Sequence, residues 1–288
     1  MTQKTLLSPA EVDTLMKSEP VVLIDTRDPE TYAAGHLPGA VNVREIFTYL
    51  ATSDAEGLDT LKETFAKLFG DAGLSGEETA VIYEDSMNTG FGQSCRGYLL
   101  LRALGYPSVA VLDGGYKGWV DAGLPVSTET PEVEPKTFPV LAEPTSLMLT
   151  AGQMLEALDN DSIKILDVRD RDEWEGESSS PYGIDFCPRK GRIPGARWIE
   201  WYKLMDESED EPAKFRSPEE IQAACAEVGI GKDDTVYVYC FKGARASNSF
   251  VALNEAGFSN VKIYFGSWNE WSRDPSLPID EGAPSAAA

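Results

Sequence analysis

One cysteine sits where a sulfur could act as a nucleophile. Cys240 follows the apolar run 235–239 (TVYVY) and precedes Phe241, Lys242, Gly243, Ala244 and Arg245, after which small residues open a helical pattern. A strand–turn–helix junction of this kind can aim several backbone N–H groups inward and form an anion-binding nest at a helix N-terminus. The two flanking cations and the helix dipole favour a thiolate over a thiol, so Cys240 is expected to ionise below its ordinary pKa and to attack electrophiles. The expected parts are Cys240 as nucleophile, the backbone of Phe241, Gly243 and Ala244 in the nest around its sulfur, and Lys242 and Arg245 as the flanking cations. The competing reading, a small buried core cysteine, fits most cysteines but does not account for this junction.

A second stretch attracts attention by its charge. Residues 186–199 hold Arg189, Lys190, Arg192 and Arg197 and no acid. They overlap an insertion, 175–192, that is either a solvated loop or a source of guanidinium groups over the Cys240 pocket. Arg189 and Arg192 are the candidates for the second role, and Arg197 stays open beside them. Cys187, in the same insertion, is either an ordinary loop cysteine or a partner that forms a disulfide with Cys240 or takes its sulfur. Cys225 follows the Ser217…Glu220 capping box and reads as core, and Cys95 lies inside a helix. The single histidine, His36, sits in a turn without an implied cysteine partner, which disfavours a Cys–His hydrolase and a Cys/His zinc site. No metal or cofactor is expected. Asp25, Arg27, Asp167 and Arg169 read as ion pairs within each half. Trp198, Trp201, Trp268 and Trp271 occupy core-type positions, and Trp268 is also a candidate for the interface between halves.

These residues are distributed over an internal repeat. VVLIDTRD (21–28) recurs as IKILDVRD (163–170), offset 142; GHLPGA (35–40) recurs as GRIPGA (191–196), offset 156. YLLLRALGY (98–106) recurs as FVALNEAGF (250–258) and GGYKGW (114–119) as GSWNEW (266–271), both offset 152. Capping boxes at Ser8…Glu11 and Thr150…Gln153 start equivalent helices. Short apolar runs ending in Asp-x-Arg alternate with helical patterns, which predicts an α/β architecture of mainly parallel sheets covered on both faces. Pro131, Pro135, Pro139 and Pro144 forbid a helix between the halves. The expected organisation is 1–128, an extended linker 129–147, 148–282, and a disordered tail 283–288.

Composition bounds the function. The formal charge is −23, spread evenly over both halves, so a nucleic-acid binder or an anionic membrane surface as partner is disfavoured. An apolar content of 42% suffices for packed cores. The absence of an apolar leader, of a membrane-length apolar run and of a disulfide framework leads to the expectation of a reduced, cytoplasmic protein.

Taken together, the tandem repeat, the Asp-x-Arg strand ends, GHLPGA and GRIPGA, the C-x-x-G-x-R loop and the GSW segment resemble the two-domain rhodaneses, the thiosulfate sulfurtransferase family, over nearly the whole chain. The resemblance implies two rhodanese-like domains, an inactive N-terminal one in which Glu84 occupies the position of Cys240, and a catalytic C-terminal one with the substrate entering between them. It implies that Cys240 takes the outer sulfur of thiosulfate as a persulfide, releases sulfite, and hands the sulfur to cyanide or a thiol. The partners implied are a small anionic sulfur donor, a thiol or cyanide acceptor, and a possible acceptor protein; a monomer is expected. The main rival donor is 3-mercaptopyruvate, whose enzymes carry an uncharged loop resembling C-G-S-G-V-T. Lys242 and Arg245 favour thiosulfate, although Phe241 replaces the first basic residue of the thiosulfate-type loop C-R-K-G-V-T. Phosphatases and arsenate reductases of the same fold class use C-x5-R, one residue longer than the C-x4-R found here. A binding or sulfur-delivery module remains the non-enzymatic alternative.

Overall fold

The repeat offsets reappear as strand register. In the computed structural model, which describes residues 4–206 and 212–284, the first half forms β1 (Leu6–Leu7), α1 (Pro9–Ser18), β2 (Val21–Asp25), α2 (Pro29–Ala34), β3 (Val41–Asn42), α3 (Glu45–Thr48), α4 (Ala55–Asp71), β4 (Thr79–Tyr83), α5 (Gln93–Ala103), β5 (Val109–Leu112) and α6 (Gly115–Asp121). The second forms α7 (Ala151–Ala157), β6 (Ile163–Asp167), α8 (Arg171–Trp174), β7 (Arg197–Trp198), a 3-10 turn Trp201–Leu204, α9 (Pro218–Glu227), β8 (Thr235–Tyr239), α10 (Ala244–Glu255), β9 (Asn260–Ile263) and α11 (Ser267–Trp271). The sheets run β1-β5-β4-β2-β3 and β7-β6-β8-β9, and every pairing is parallel. Val21 pairs with Thr79 and Asp25 with Tyr83; Ile163 pairs with Thr235 and Asp167 with Tyr239 in the same register. The counterpart of the β1–β5 pairing is a single parallel bridge, Met148 to Ile263.

The central strands are buried because helices cover both of their faces. All five residues of β4 are buried. Val81 and Tyr83 join Val12 of α1 and Trp119 of α6 in one core cluster, while Ile82 points to the opposite face, against Gly97 of α5 and Ile46 of α3. In the second half Tyr239 packs with Met154, Trp268 and Trp271, and α10 packs on β8, β9 and α9. The expected capping boxes at Ser8, Thr150 and Ser217 are all formed.

Two compact units result, but not by one cut in the chain. Of the described residues, 4–49, 59–146 and 212–214 belong to the first, and 50–58, 147–206 and 215–284 to the second. Ser53 shows why 50–58 changes allegiance: its N–H and Oγ donate to Glu270 Oε1 at 2.6 and 3.0 Å, and its Oγ accepts from Ala151 N at 2.8 Å. The tail expected to be disordered falls partly on 285–288, outside the described residues.

Candidate active site

Cys240 is the first residue after β8 and is 1% exposed. Gly243, which precedes α10, donates its N–H to Cys240 Sγ at 3.1 Å. Gly243 has φ 90° and its missing Cβ would lie 3.0 Å from the Phe265 ring, so only glycine turns the chain there without strain. The first N–H groups of α10, at Ala244 and Arg245, have no acceptor within the helix. Residues 240–243 thus form a tight turn with the Gly243 N–H on the sulfur.

A second segment holds this turn from the other side. Cys240 N–H donates to Ser267 Oγ at 3.2 Å, and the Ser267 hydroxyl donates to Tyr264 O at 2.7 Å. Trp268 N–H donates to Cys240 O and Asn269 N–H to Phe241 O, at 3.0 and 2.9 Å. Ser267 is fully buried with φ 53°, a left-handed conformation that costs a non-glycine residue on the order of 1–2 kcal/mol.

Arg245 lies in the first turn of the loop's helix, 4% exposed, with Nη1 at 2.6 Å from Glu173 Oε2 and 3.0 Å from Asp170 Oδ2. Burial works against its charge, yet the fields of Glu173, Cys240 and Asp170 raise its pKa above that of an ordinary arginine. Its Nη2 is buried without a hydrogen-bond partner. Asp170, Asp172 and Glu173 converge closely enough to suggest a cation site, but two of them already hold the guanidinium. Lys242 is 8% exposed, with Nζ 5.3 Å from the centre of the Tyr182 ring. Tyr182 also packs on Phe241, ring centres 5.1 Å apart.

The equivalent strand end in the first unit has been rebuilt. Glu84 follows β4, fully buried; Oε2 accepts from Gln93 N at 2.8 Å and Oε1 from Ser94 Oγ at 3.0 Å, at the start of α5. Its carboxyl thus fills the space at the helix N-terminus. Burial pushes its pKa up to about 8 in spite of those two hydrogen bonds. Gly90 leaves room for it, since a Cβ there would lie 2.1 Å from Glu84 Oε2. The clamp on the far side is retained: Tyr116 N–H donates to Glu84 O and Lys117 N–H to Asp85 O. At the position of Ser267, however, stands Gly115, φ 62°.

The strand-end ion pairs are duplicated as expected and are structural. Arg27 bonds Asp25 and the carbonyl of Gly35, with Tyr116 beneath its guanidinium. Arg169 bonds Asp167 and the carbonyl of Gly191, with Trp268 beneath. Each pair ties a strand end to the GHLPGA or GRIPGA loop and to the last helix of its own unit.

The insertion arginines are engaged elsewhere than expected. Arg189 donates to the carbonyls of Ser272, Leu277, Trp271 and Asp274, so it clamps the chain after α11. Arg192 donates to the carbonyls of Trp174 and Gly282 and stacks on the Trp174 ring. Its backbone pairs with Asp280 as His36 pairs with Ser127. Neither guanidinium is aimed at the 240–245 turn by these contacts. Cys187 is fully buried in the core with Phe241 and Trp268 and is a free thiol, pushed up in pKa by burial. Trp268 lies in that same core, 0% exposed, and donates to Arg189 O. His36 stacks on Tyr32 and bonds two carbonyls. Cys95 and Cys225 are buried in α5 and α9.

Sequence reading missed Glu173, Ser267 and Tyr182. A signal existed for the first. Under offsets 142 and 152, Glu173 and Arg245 correspond to Thr31 and Gln93, so acid and base are present together in one repeat and absent together in the other.

Residues 8–122 and 150–274 each match the rhodanese-like domain. The chain is 29% identical over 277 residues to a thiosulfate sulfurtransferase of Azotobacter vinelandii, covering 96% of each. It is 30% identical over 289 residues to the sulfur carrier protein TtuD of Thermus thermophilus, covering 96% of this chain and 93% of that one. Among solved structures, the anaerobic ergothioneine biosynthesis enzyme of Chlorobium limicola superposes with TM-score 0.80 at 25% identity, over 97% of this chain and 70% of that one. A structure of EanB with ergothioneine covalently linked to a persulfide cysteine superposes with TM-score 0.81 at 25% identity, over the same shares of the two chains. With two domain matches, a duplicated parallel sheet and duplicated strand-end clamps, the chain belongs to the rhodanese family as a tandem of two rhodanese-like domains.

Proposed function

We propose that the chain is a thiosulfate sulfurtransferase whose second domain carries sulfur as a persulfide on Cys240, the first domain being non-catalytic. The observation that carries this reading is the Gly243 N–H on Cys240 Sγ at the mouth of α10, where the other repeat has a carboxyl. The Cys240 thiolate attacks the outer sulfur of thiosulfate. A new S–S bond forms, the donor's S–S bond breaks, and its electron pair leaves on sulfite. Cyanide or a thiolate then takes the terminal sulfur, as thiocyanate or a new persulfide, and the Cys240 thiolate returns. The backbone of Phe241, Gly243 and Ala244 cradles the persulfide anion. Lys242 supplies positive charge to the donor. Arg245 has its charge balanced by Glu173 and Asp170, so it acts chiefly by fixing the turn, with Nη2 as one remaining donor toward a bound oxyanion.

Intact mass after thiosulfate incubation tests this. Wild-type protein gains about 32 Da, and Cys240→Ser gains nothing; a wild type without the adduct overturns the reading. The kcat/KM ratio for thiosulfate against 3-mercaptopyruvate decides the donor, with thiosulfate expected to lead. Delivery to a protein acceptor is a second reading, favoured by the similarity to a named sulfur carrier protein.

A further inference from the structure

Most of the 175–192 insertion has no counterpart in the first repeat, where the chain passes directly from α2 to Gly35. It is firmly based. Ser179, Ser180 and Cys187 are buried, Arg189 is clamped on four carbonyls, and Lys190 Nζ donates to Glu177 O. Between these anchors a turn closes, Gly183 N–H donating to Ser180 O and Tyr182 N–H to Ser180 Oγ. It lifts Tyr182, 46% exposed, onto the catalytic turn. The Tyr182 ring meets Phe241 at 5.1 Å, Phe186 at 5.4 Å and the Lys242 ammonium at 5.3 Å. Phe241 and Lys242 are themselves nearly buried, at 3% and 8% exposed. Only the repeat with a cysteine at the strand end has the insertion, and the insertion's aromatic tip rests on the two residues that follow that cysteine.

We propose that Tyr182 is a positioning residue: its ring holds the Lys242 ammonium and the Phe241 ring over the Cys240 turn, and so sets the preference of the site for anionic reactants. It rests on Cys240 being the reactive sulfur, as proposed above, but not on the identity of the donor. A ring facing an ammonium attracts it through the quadrupole, a contribution that corresponds to about two- to fivefold in affinity. The aromatic face is what matters, so phenylalanine should replace tyrosine, whereas alanine removes this contact to the lysine.

Alkylation of Cys240 in the full chain reads this without any sulfur transfer. Rates with anionic iodoacetate and neutral iodoacetamide are followed by peptide mass spectrometry, which separates Cys240 from the three other cysteines. Tyr182→Ala is expected to lower the iodoacetate/iodoacetamide ratio about two- to fivefold, and Tyr182→Phe to keep the wild-type ratio. Once Lys242→Met has lowered the ratio, adding Tyr182→Ala should change it little further. An unchanged ratio in Tyr182→Ala, an equal loss in Tyr182→Phe, or additive effects of the two substitutions overturns the proposal. In turnover with thiosulfate the same alanine variant should raise KM by a similar factor and leave kcat within about twofold. Failure of wild type to gain sulfur from thiosulfate would refute the donor while leaving the alkylation result to judge Tyr182.

Discussion

The strand ends at Glu84 and Cys240 share a register, a downstream clamp and a helix that starts with its N–H groups toward the strand. They differ in what occupies the helix mouth. In the first unit a protonatable carboxyl fills the space and uses the N–H and hydroxyl groups of Gln93 and Ser94. In the second, four residues separate the strand from the helix, a sulfur faces the N–H of Gly243, and a buried Glu173–Arg245 pair braces the turn. Ser267 in place of Gly115 adds an acceptor for the Cys240 N–H at the expense of a left-handed serine. The comparison teaches that a duplicated scaffold keeps its backbone clamps and changes chemistry through a handful of side chains at one strand end. Around the sulfur those side chains are a left-handed serine and a buried Glu173–Arg245 pair.

Four substitutions, in three experiments, probe that contrast. The largest effect is expected from Arg245→Ala, which leaves Glu173 buried and unpaired in the second unit and should destabilise by about 3–5 kcal/mol; Lys242→Ala should change stability by less than about 1 kcal/mol. Urea unfolding of both variants measures the difference, and equal midpoints would mean that Arg245 does not brace the turn. The middle effect concerns Glu84. Its folded-state pKa, about 8, lies above that of the unfolded carboxyl. The folded protein therefore holds the extra proton, its stabilisation is complete below about pH 4.3 and is lost as pH rises toward 8. Glu84→Gln cannot ionise, so its advantage over wild type should grow by about 1–3 kcal/mol between pH 5 and pH 8. Thermal unfolding at both pH values checks this, and a constant offset would contradict it. The smallest effect is expected from Arg189→Ala: roughly 1–2 kcal/mol of stability from lost hydrogen bonds to carbonyls, with KM for thiosulfate unchanged. A raised KM at wild-type stability would return Arg189 to the substrate.

Much of this was legible beforehand. Parallel α/β halves, the three capping boxes, the Asp-x-Arg pairs and the equivalence of Cys240 with Glu84 follow from local patterns and offsets. Local patterns carry them because a buried parallel strand needs a continuous apolar run and a cap needs a fixed three-residue spacing. The fate of 50–58 was not legible, since Ser53 is recruited by Glu270 and Ala151, residues remote in the chain.

What the sequence by itself determined is the two-domain plan and the two equivalent strand ends, one followed by Cys240 and the other by Glu84. Each is a matter of residue type and spacing along the chain. What only the tertiary structure decided is how the cations are used. Residues 186–199 and 235–254 contain no acid, yet Arg245 is met by Glu173 and Asp170, and Arg189 and Arg192 are taken up by carbonyls. The field a cation exerts falls with distance and with the charges set against it. Its partners are chosen by folding, so a run of like charges in a sequence does not reveal which one is left to face a substrate.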